Sequence, residues 1–589
     1  MGTPVVRVLF LHPADDPEVG PWADQKWSRV IDLGLAGSGA YSRWRKKFDC
    51  PVEPITSLRD GFNEIRRVGE ILKLGSGRLL DADGLDWWDL TSVLFHEQIE
   101  TLVLLKRAAG TLGAEGEVHL TRPGFHADAL RALLGARLQT FTGRGSEKGP
   151  RHYLRTFSRL PMWQLGQIFW DKYDTGYQIR GRFSPKRRAS DTPVVLLPSA
   201  YVNVSRTEIA YGSLVPDLKF LLAVTRQSGW MKNLPPNVDA AWLSSYASLE
   251  PKRRQSEFVD LMERWHPLRR ELQSIPEMSA MFALGCMEVG HLIRQGLEVR
   301  DAWRNVFERE PIQAVFCADD SNPHTRIPLL LARKRGLPNV SCHHGALDGR
   351  YMIKPSQADT ILAKGKMEQD YLVRVCGVPS EHVEVGAPSL SSATRVDSPR
   401  GDSSPIVFFS EAYEIFSGRA EEFYRDVLPP LADLAMQTNR ELIIKLHPAE
   451  SHSERSKMAE RILSPAQRIR VTVRSGTLTQ EFLKQIWLGV TVLSTVAVEC
   501  SQLGVPCFLC QWLEFWPYGY IDQFTRFGAG YRLKSPAEIR AIPQILETYS
   551  LPANVGENVS SPIDPARLEE LLTGRTLSAT LSQNMDRAV

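Results

Sequence analysis

The run Gly489–Cys510, GVTVLSTVAVECSQLGVPCFLC, changes its period twice within about one βαβ unit. Val490-Thr491-Val492-Leu493 is a short β-branched apolar run, the pattern of a strand buried in a parallel sheet. Ser494 and Thr495 follow at once, both N-cap types, and VAVECSQLG reads as a short helix closed by Gly504 with Pro506 just beyond. Cys507 to Cys510 then opens a second apolar strand. A strand that ends in two hydroxyls at a helix N-terminus makes an anion site, because free backbone N–H groups and the positive end of the helix dipole point the same way. Glu499 stands four residues past Thr495, about one turn along the same helix face, where a carboxylate can receive sugar or ribose hydroxyls. The same residues also read as a buried helix with a structural Ser-Thr cap.

Working outward, the pattern repeats on either side. PIVFFSEAYE is strand then loop and delivers Ser410 and Glu411; a helix covers Glu421 to Gln437; ELIIKLHPAE is again strand then loop and delivers Lys445, His447 and Pro448. RIRVTV and a helix over Leu478 to Leu488 lead back to the opening stretch. Upstream, Ser391 to Ser404 (SSATRVDSPRGDSS) is rich in Ser, Asp and Pro and nearly free of apolar residues, the composition of a linker. The expected organisation is therefore an N-terminal domain over 1–390, a linker over 391–404, a second β/α domain over 405–560, and a C-terminal helix and tail over 561–589.

The N-terminal half shows the same alternation. QAVFCADDSNPHTR is strand then loop, IPLLLARKRG a helix, and LPNVSCHHGALDGRY strand then loop, which brings Asp319, Asp320 and His324 from one strand end and His343, His344 and Gly345 from the next. Adjacent parallel strands lie about 4.8 Å apart, so these side chains can share one site at the end of the sheet where open α/β folds bind ligands. A carboxylate beside an imidazole is a general-base arrangement. The same residue types also ligate metals, but no third ligand stands at a recognisable spacing. Val5 to Leu11 is a first strand, followed by His12, Asp15 and Asp16; PVVLLP is another, followed by Tyr201, Asn203, Ser205 and Arg206. The basic, aromatic stretch Gly143 to Ser190 reads as an insertion, and a second insertion, about 230–310, carries two or three charged amphipathic helices over Glu250 to Glu310. No simple sequence repeat is visible.

Composition narrows the function classes. At 589 residues the chain needs more than one core. Charged residues at 24% and hydrophobic ones at 43% are ordinary for a soluble protein, and a net charge of +3 implies no global nucleic-acid field. Without an apolar run of about 18 residues or a cleavable leader pattern, the expected location is cytoplasmic. Arg43 to Phe48 and Pro185 to Arg188 are basic runs that could touch the inner membrane surface and equally read as solvated faces. Eight scattered cysteines read as reduced thiols, and Cys507-x-x-Cys510 as buried filler rather than half of a metal site.

Together the HHG after a late strand of the first half, the K-x-H-P after an early strand of the second, and the S-T-x-x-x-E turn resemble a GT-B glycosyltransferase. The resemblance is nearest to bacterial surface-polysaccharide enzymes: capsule Kdo transferases, polysialyltransferases and CDP-glycerol glycerophosphotransferases. It covers about Ile312 to Leu533 and implies an α/β fold of two Rossmann-like parallel-sheet domains facing across a cleft, with helical insertions in the N-terminal half. It implies His447, Ser494 and Thr495 as the donor-phosphate site, Glu499 as acceptor of a ribose or sugar hydroxyl, and His344 as a base or phosphate contact. With Ser410, Glu411, Lys445 and Pro448 these form the expected donor side, and His343, Gly345, Arg206 and Asp16 the acceptor side. The polysialyltransferase pattern has an acidic pair followed by Gly, whereas Asp319-Asp320 is followed by Ser321, so the base stays open between these aspartates and His344.

The implied reaction moves a sugar from a CMP-, CDP- or UDP-linked donor to a carbohydrate or lipid-linked acceptor, with no metal and no cofactor beyond the donor itself. Two other classes stay open: a nucleotide-sugar 2-epimerase of the same fold, and a non-catalytic nucleotide-binding or scaffold relative.

Overall fold

The computed structural model describes residues 6–12, 15, 19–33, 47–55, 62–112, 116–123, 125–141, 189–247, 251–283, 289–388, 403–413, 420–514 and 518–574. Asp16, nearly all of the insertion 143–190 and most of the linker 391–404 lie outside them.

The described strands form three sheets, and every strand pair in them is parallel. The first has five strands: β1 (Arg7–Leu11), β2 (Arg29–Asp32), β3 (Val52–Pro54), β4 (Glu117–Leu120) and β5 (Leu138–Thr140), in the order β3-β2-β1-β4-β5. The second has seven: β6 (Val194–Ser199), β7 (Lys219–Val224), β8 (Val238–Trp242), β9 (Ile312–Cys317), β10 (Asn339–Cys342), β11 (Thr360–Ala363) and β12 (Val383–Val385), in the order β12-β11-β10-β9-β6-β7-β8. The third has six: β13 (Ile406–Phe409), β14 (Leu442–Lys445), β15 (Val471–Arg474), β16 (Leu488–Thr491), β17 (Cys507–Cys510) and β18 (Tyr531–Leu533), in the order β15-β14-β13-β16-β17-β18.

Each order runs outward from the first strand in one direction and then, by a crossover, from its other side. That is the doubly wound pattern, and it leaves a switch point in every sheet: β1/β4, β6/β9 and β13/β16. The α/β parallel class expected from the sequence is therefore present, and a topological repeat exists where no sequence repeat does. The stretch 1–390, read from the sequence as one domain with insertions, holds two of the three sheets. The reason is visible in the strands: β2, β3 and β5 are three or four residues long, too short to show a period of their own.

The chain divides into two compact units. One comprises 1–63, 100–147 and 392–559, and so holds the five- and six-stranded sheets; the other comprises 64–99, 148–391 and 560–589 and holds the seven-stranded sheet. The break at 391/392 falls at the start of the predicted linker. The C-terminal segment belongs to the seven-stranded sheet: Ile563, Leu568 and Leu572 lie in one core with Val195, Phe316 and Val340. The charged stretch predicted as two or three helices forms three, Pro251–Ser274, Pro276–Ala283 and Val289–Arg309, whose last helix buries Arg300 against Asp81 at 2.6 Å.

Strands β13, β14, β16 and β17 are buried at every position, which explains their near-continuous apolar sequences. Gly489 in β16 is required by packing, because a Cβ there would stand 2.8 Å from the Phe409 ring of β13. Cys507 and Cys510 are both fully buried in β17, as free thiols. Five helices matter below: α1 (Val202–Gly212), α2 (Pro323–Lys334), α3 (Ala420–Gln437), α4 (His452–Ile462) and α5 (Val496–Gln502). Among the described residues no helix is long and apolar enough to cross a membrane.

Candidate active site

At the β13/β16 switch point two carboxylates organise the loops. Glu411, just past β13 and 8% exposed, accepts the Leu493 N–H at 2.9 Å and the Thr491 hydroxyl at 3.3 Å. Thr491 also donates to the Phe409 carbonyl at 3.1 Å, which ties the two strand ends together. Burial pushes the Glu411 carboxyl up to about 7, against the opposing effect of the Leu493 amide and the Thr491 hydroxyl, with Glu450 adding to the rise. The chain turns through Ser494 into α5, whose first free N–H, that of Val496, is received by the Ser494 hydroxyl at 3.3 Å. The cap is therefore Ser494 alone; the Thr495 side chain makes no capping bond, and α5 is only seven residues long. Thr495 and Glu499 are exposed, and the Glu499 carboxylate has no hydrogen-bond partner among the described residues.

The second loop follows β14. Lys445 is buried, and its ammonium donates to the Gly476 carbonyl in the turn after β15. It is thus occupied rather than free at the strand end. His447 is exposed, and its Nδ1 accepts the Ala449 N–H at 3.2 Å. That bond selects the tautomer with a proton on Nε2, and local desolvation keeps the ring's pKa below the ordinary histidine value, so a neutral N–H donor is presented at pH 7. Pro448 forms the corner, and Glu450 closes it by accepting the His447 N–H at 2.8 Å. Ser410 faces the same carboxylate, donating to Glu450 Oε1 at 2.8 Å.

A pH dependence follows from Glu411. Its pKa is about 7 in the fold against an ordinary 4.5, so the fold favours the protonated form. The stabilising contribution is complete below about pH 4.5 and is lost as pH rises through 7; the sum is roughly 3 kcal/mol. Between pH 5 and pH 8 the wild type should lose stability relative to Glu411→Gln, whose amide does not titrate. Denaturant melts of both at the two pH values check this, and parallel pH trends would refute it.

In the other unit, the β6/β9 switch point carries a different chemistry. Tyr201 precedes α1 and donates its hydroxyl to Asp319 Oδ2 at 2.5 Å. The His344 and Tyr201 rings meet edge to face with their centroids 5.2 Å apart, and the two His344 nitrogens lie 3.4 and 3.5 Å from the phenol oxygen. Since the phenol proton is directed to Asp319, its oxygen is left to accept from His344. Burial lowers the His344 pKa, opposed by Asp319, and raises that of Tyr201. His343 packs its ring 4.5 Å from His344, and Lys364 donates to the carbonyls of His343 and Gly345, clamping the HHG loop.

Asp320 has a separate setting. It is 2% exposed, receives the Lys354 ammonium, and lies 3.7 Å from Arg326, which itself reaches Asp89. Asp319, by contrast, faces Tyr201, the Ser321 N–H at 3.2 Å and Arg350 at 3.9 Å. Asp348 joins the set through Ser321 and Arg350; burial opposes its ionisation, but Arg350 and Lys354 hold its carboxyl well below the usual range. Arg206 is exposed on α1, and His324 caps no metal cluster, since among the described residues no such group of ligands occurs. In the five-stranded sheet, Asp15 is gripped by Arg122 and the His12 N–H donates to Thr121 at 2.9 Å.

The structure thus brings Ser410, Glu411, His447 and Ser494 into linked loops of one sheet, and Asp319 with His344 into one group of another. Tyr201, Thr491 and Glu450 were not singled out as site residues by sequence reasoning. Thr491 and Glu450 lie inside stretches that read as strand and strand-then-loop, Val490–Leu493 and ELIIKLHPAE, but neither has a spacing that marks it as a site residue, and Tyr201 carries no spacing signal relative to Asp319.

No family model and no curated protein matches the chain by sequence. Solved structures are similar to it in fold. A UDP-GlcNAc 2-epimerase from Neisseria meningitidis bound to UDP-GlcNAc is 12% identical, with 67% of this chain and 100% of that one covered at a TM-score of 0.37. MurG of Acinetobacter baumannii is 12% identical over 66% of this chain and 100% of its own, at 0.38. The spinosyn rhamnosyltransferase SpnG, complexed with thymidine diphosphate, is 12% identical over 67% and 99%, at 0.35. The α/β class of this chain rests on its own strand orders.

Proposed function

We propose that the protein is a GT-B-type glycosyltransferase that moves a sugar from a CMP-, CDP- or UDP-linked donor to a carbohydrate or lipid-linked acceptor, in surface-polysaccharide synthesis. One observation carries the reading: at the switch point of the six-stranded sheet, buried Glu411 and Glu450 fix two loops so that the Nε2–H of His447 and the Ser494 hydroxyl are presented as ready-made donors. A departing phosphate gains negative charge as the sugar–oxygen bond breaks, and donors set in place beforehand stabilise that charge without reorganisation. Glu499 is assigned to a ribose or sugar hydroxyl. The acceptor hydroxyl must lose a proton, and His344 is the base, with Tyr201 and Asp319 behind it stabilising the imidazolium that forms. Asp320 has no part in proton transfer.

A thermal-shift panel of CMP, CDP, UDP and GDP tests the donor assignment. A ligand at about a hundred times its dissociation constant adds roughly 2.7 kcal/mol of stability. At least one nucleotide is expected to raise the melting temperature, whereas a scaffold without a nucleotide site shifts with none.

The Tyr201–Asp319–His344 group also suits a second reading, a nucleotide-sugar 2-epimerase, in which it would abstract a proton from the sugar. Incubation with donor alone separates the two: isomerised sugar supports the epimerase, slow hydrolysis the transferase.

A further inference from the structure

We infer that Glu450 is a positioning residue that locks the His447 turn onto the end of β13 and thereby fixes which imidazole nitrogen carries the outward proton. The carboxylate is a three-way junction. Its Oε1 accepts the Ser410 hydroxyl and the Arg455 Nε–H, each at 2.8 Å, and its Oε2 accepts the His447 backbone N–H at 2.8 Å. The Glu450 N–H closes the turn on the His447 carbonyl at 3.0 Å. Ser410 also pairs with the Tyr424 hydroxyl of α3 at 2.7 Å, and the Arg455 guanidinium of α4 stands 5.5 Å from the Tyr424 ring. Strand β13, helix α3, helix α4 and the turn after β14 are thus bound through one side chain.

The Glu450 carboxylate has no exposed surface in its pair with Arg455, which is 5% exposed. A buried ion pair is a poor route to stability alone, because desolvating the charges offsets most of their attraction. What this one secures is geometry. With His447 N–H held by Glu450, the turn places the Ala449 N–H on the ring's Nδ1 at 3.2 Å, and the proton must then sit on Nε2. Glutamine at 450 offers one acceptor oxygen, so its amide nitrogen must face either the His447 N–H or the Ser410 and Arg455 donors, and the junction breaks on one side.

The inference rests on the proposed donor site only for what the turn binds; the turn's own geometry stands apart from it. The test therefore has two readouts, on the full chain. The first is the imidazole nitrogen spectrum of ¹⁵N-histidine-labelled protein, with the His447 signals assigned by their loss in His447→Ala. The wild type should show the Nε2–H tautomer, and Glu450→Gln should move these signals toward a mixture of tautomers. The second is UDP and CMP titration, where Glu450→Gln should weaken the nucleotide that binds by about tenfold, the weight of one charge-assisted hydrogen bond. In the double variant with His447→Ala, Glu450→Gln should add little further loss. An unchanged His447 spectrum in folded Glu450→Gln, or full additivity of the two losses, overturns the inference. If Glu450→Gln does not fold, Ser410→Ala removes one of the three donors and should shift the same signals in the same direction; unshifted signals again overturn it. If the wild type binds neither nucleotide, the donor reading fails, while the tautomer readout still decides the role of Glu450.

Discussion

Alanine at position 447 should reduce donor turnover by roughly 10²- to 10³-fold while the melting temperature stays within a degree or two of wild type, the scale of losing one preorganised donor to a developing oxyanion. The separation of the two effects follows from the side chain's place. His447 is exposed at a turn whose backbone is held from beneath by Glu450, so removing the ring leaves the turn's hydrogen bonds to the sheet intact. Lys445 will not substitute, because its ammonium is engaged by the Gly476 carbonyl. Steady-state rates with the nucleotide-sugar found by the panel, beside a melt of each protein, check the prediction, and wild-type turnover in the variant would sink the assignment.

The adjacent aspartates should part company just as sharply. Asp320→Asn leaves the fully buried Lys354 ammonium with Asp348 alone, at 3.5 Å, and Arg326 with Asp89 alone, which is expected to cost about 3 kcal/mol, the lower end for breaking a buried pair. Asp319→Asn has one oxygen where the carboxylate accepts from both the Tyr201 hydroxyl and the Ser321 N–H, but its amide can donate to the phenol instead, so it should melt closer to wild type than Asp320→Asn, yet lose most activity because no carboxylate then stabilises a charged His344 through the phenol. Melts and rates of the two variants side by side decide the matter. A stable Asp320→Asn protein, or an active Asp319→Asn enzyme, would contradict the division of labour drawn here.

That division could not be read from the chain. Asp319 and Asp320 are neighbours past one strand, and their dipeptide has a single appearance in sequence. Only the fold shows that one faces Tyr201 and the other a lysine 34 positions downstream. Strand ends, by contrast, were legible wherever the strand was buried on both faces: IVFF, LIIK and CFLC each appear as the apolar run expected of a parallel strand. Ser410, Glu411 and His447 were found because they follow such runs directly. The division at 391/392 falls where composition predicts a linker. The edge elements were not legible; VEP and LQT are too brief for any period, and without them the strand at Val5 to Leu11 could not be assigned to a sheet of its own. Tyr201 became a partner of Asp319 through the crossover between β6 and β9, a tertiary fact with no local trace.

The return of the C-terminal segment to the seven-stranded sheet has a consequence for biosynthesis. Ile563, whose side chain would crowd any Cβ at Gly386, and the helix Pro565–Thr573 behind it, leave the ribosome only after 392–559. The seven-stranded sheet must therefore wait, with one flank of its core bare, while the whole of 392–559 is made. Domains generally fold as units during synthesis, and a unit completed by a segment made after another whole sheet is exposed to trapping in the interval. A stop codon near Val559 would thus damage the unit whose strands were translated long before it, and leave the later-made six-stranded sheet whole.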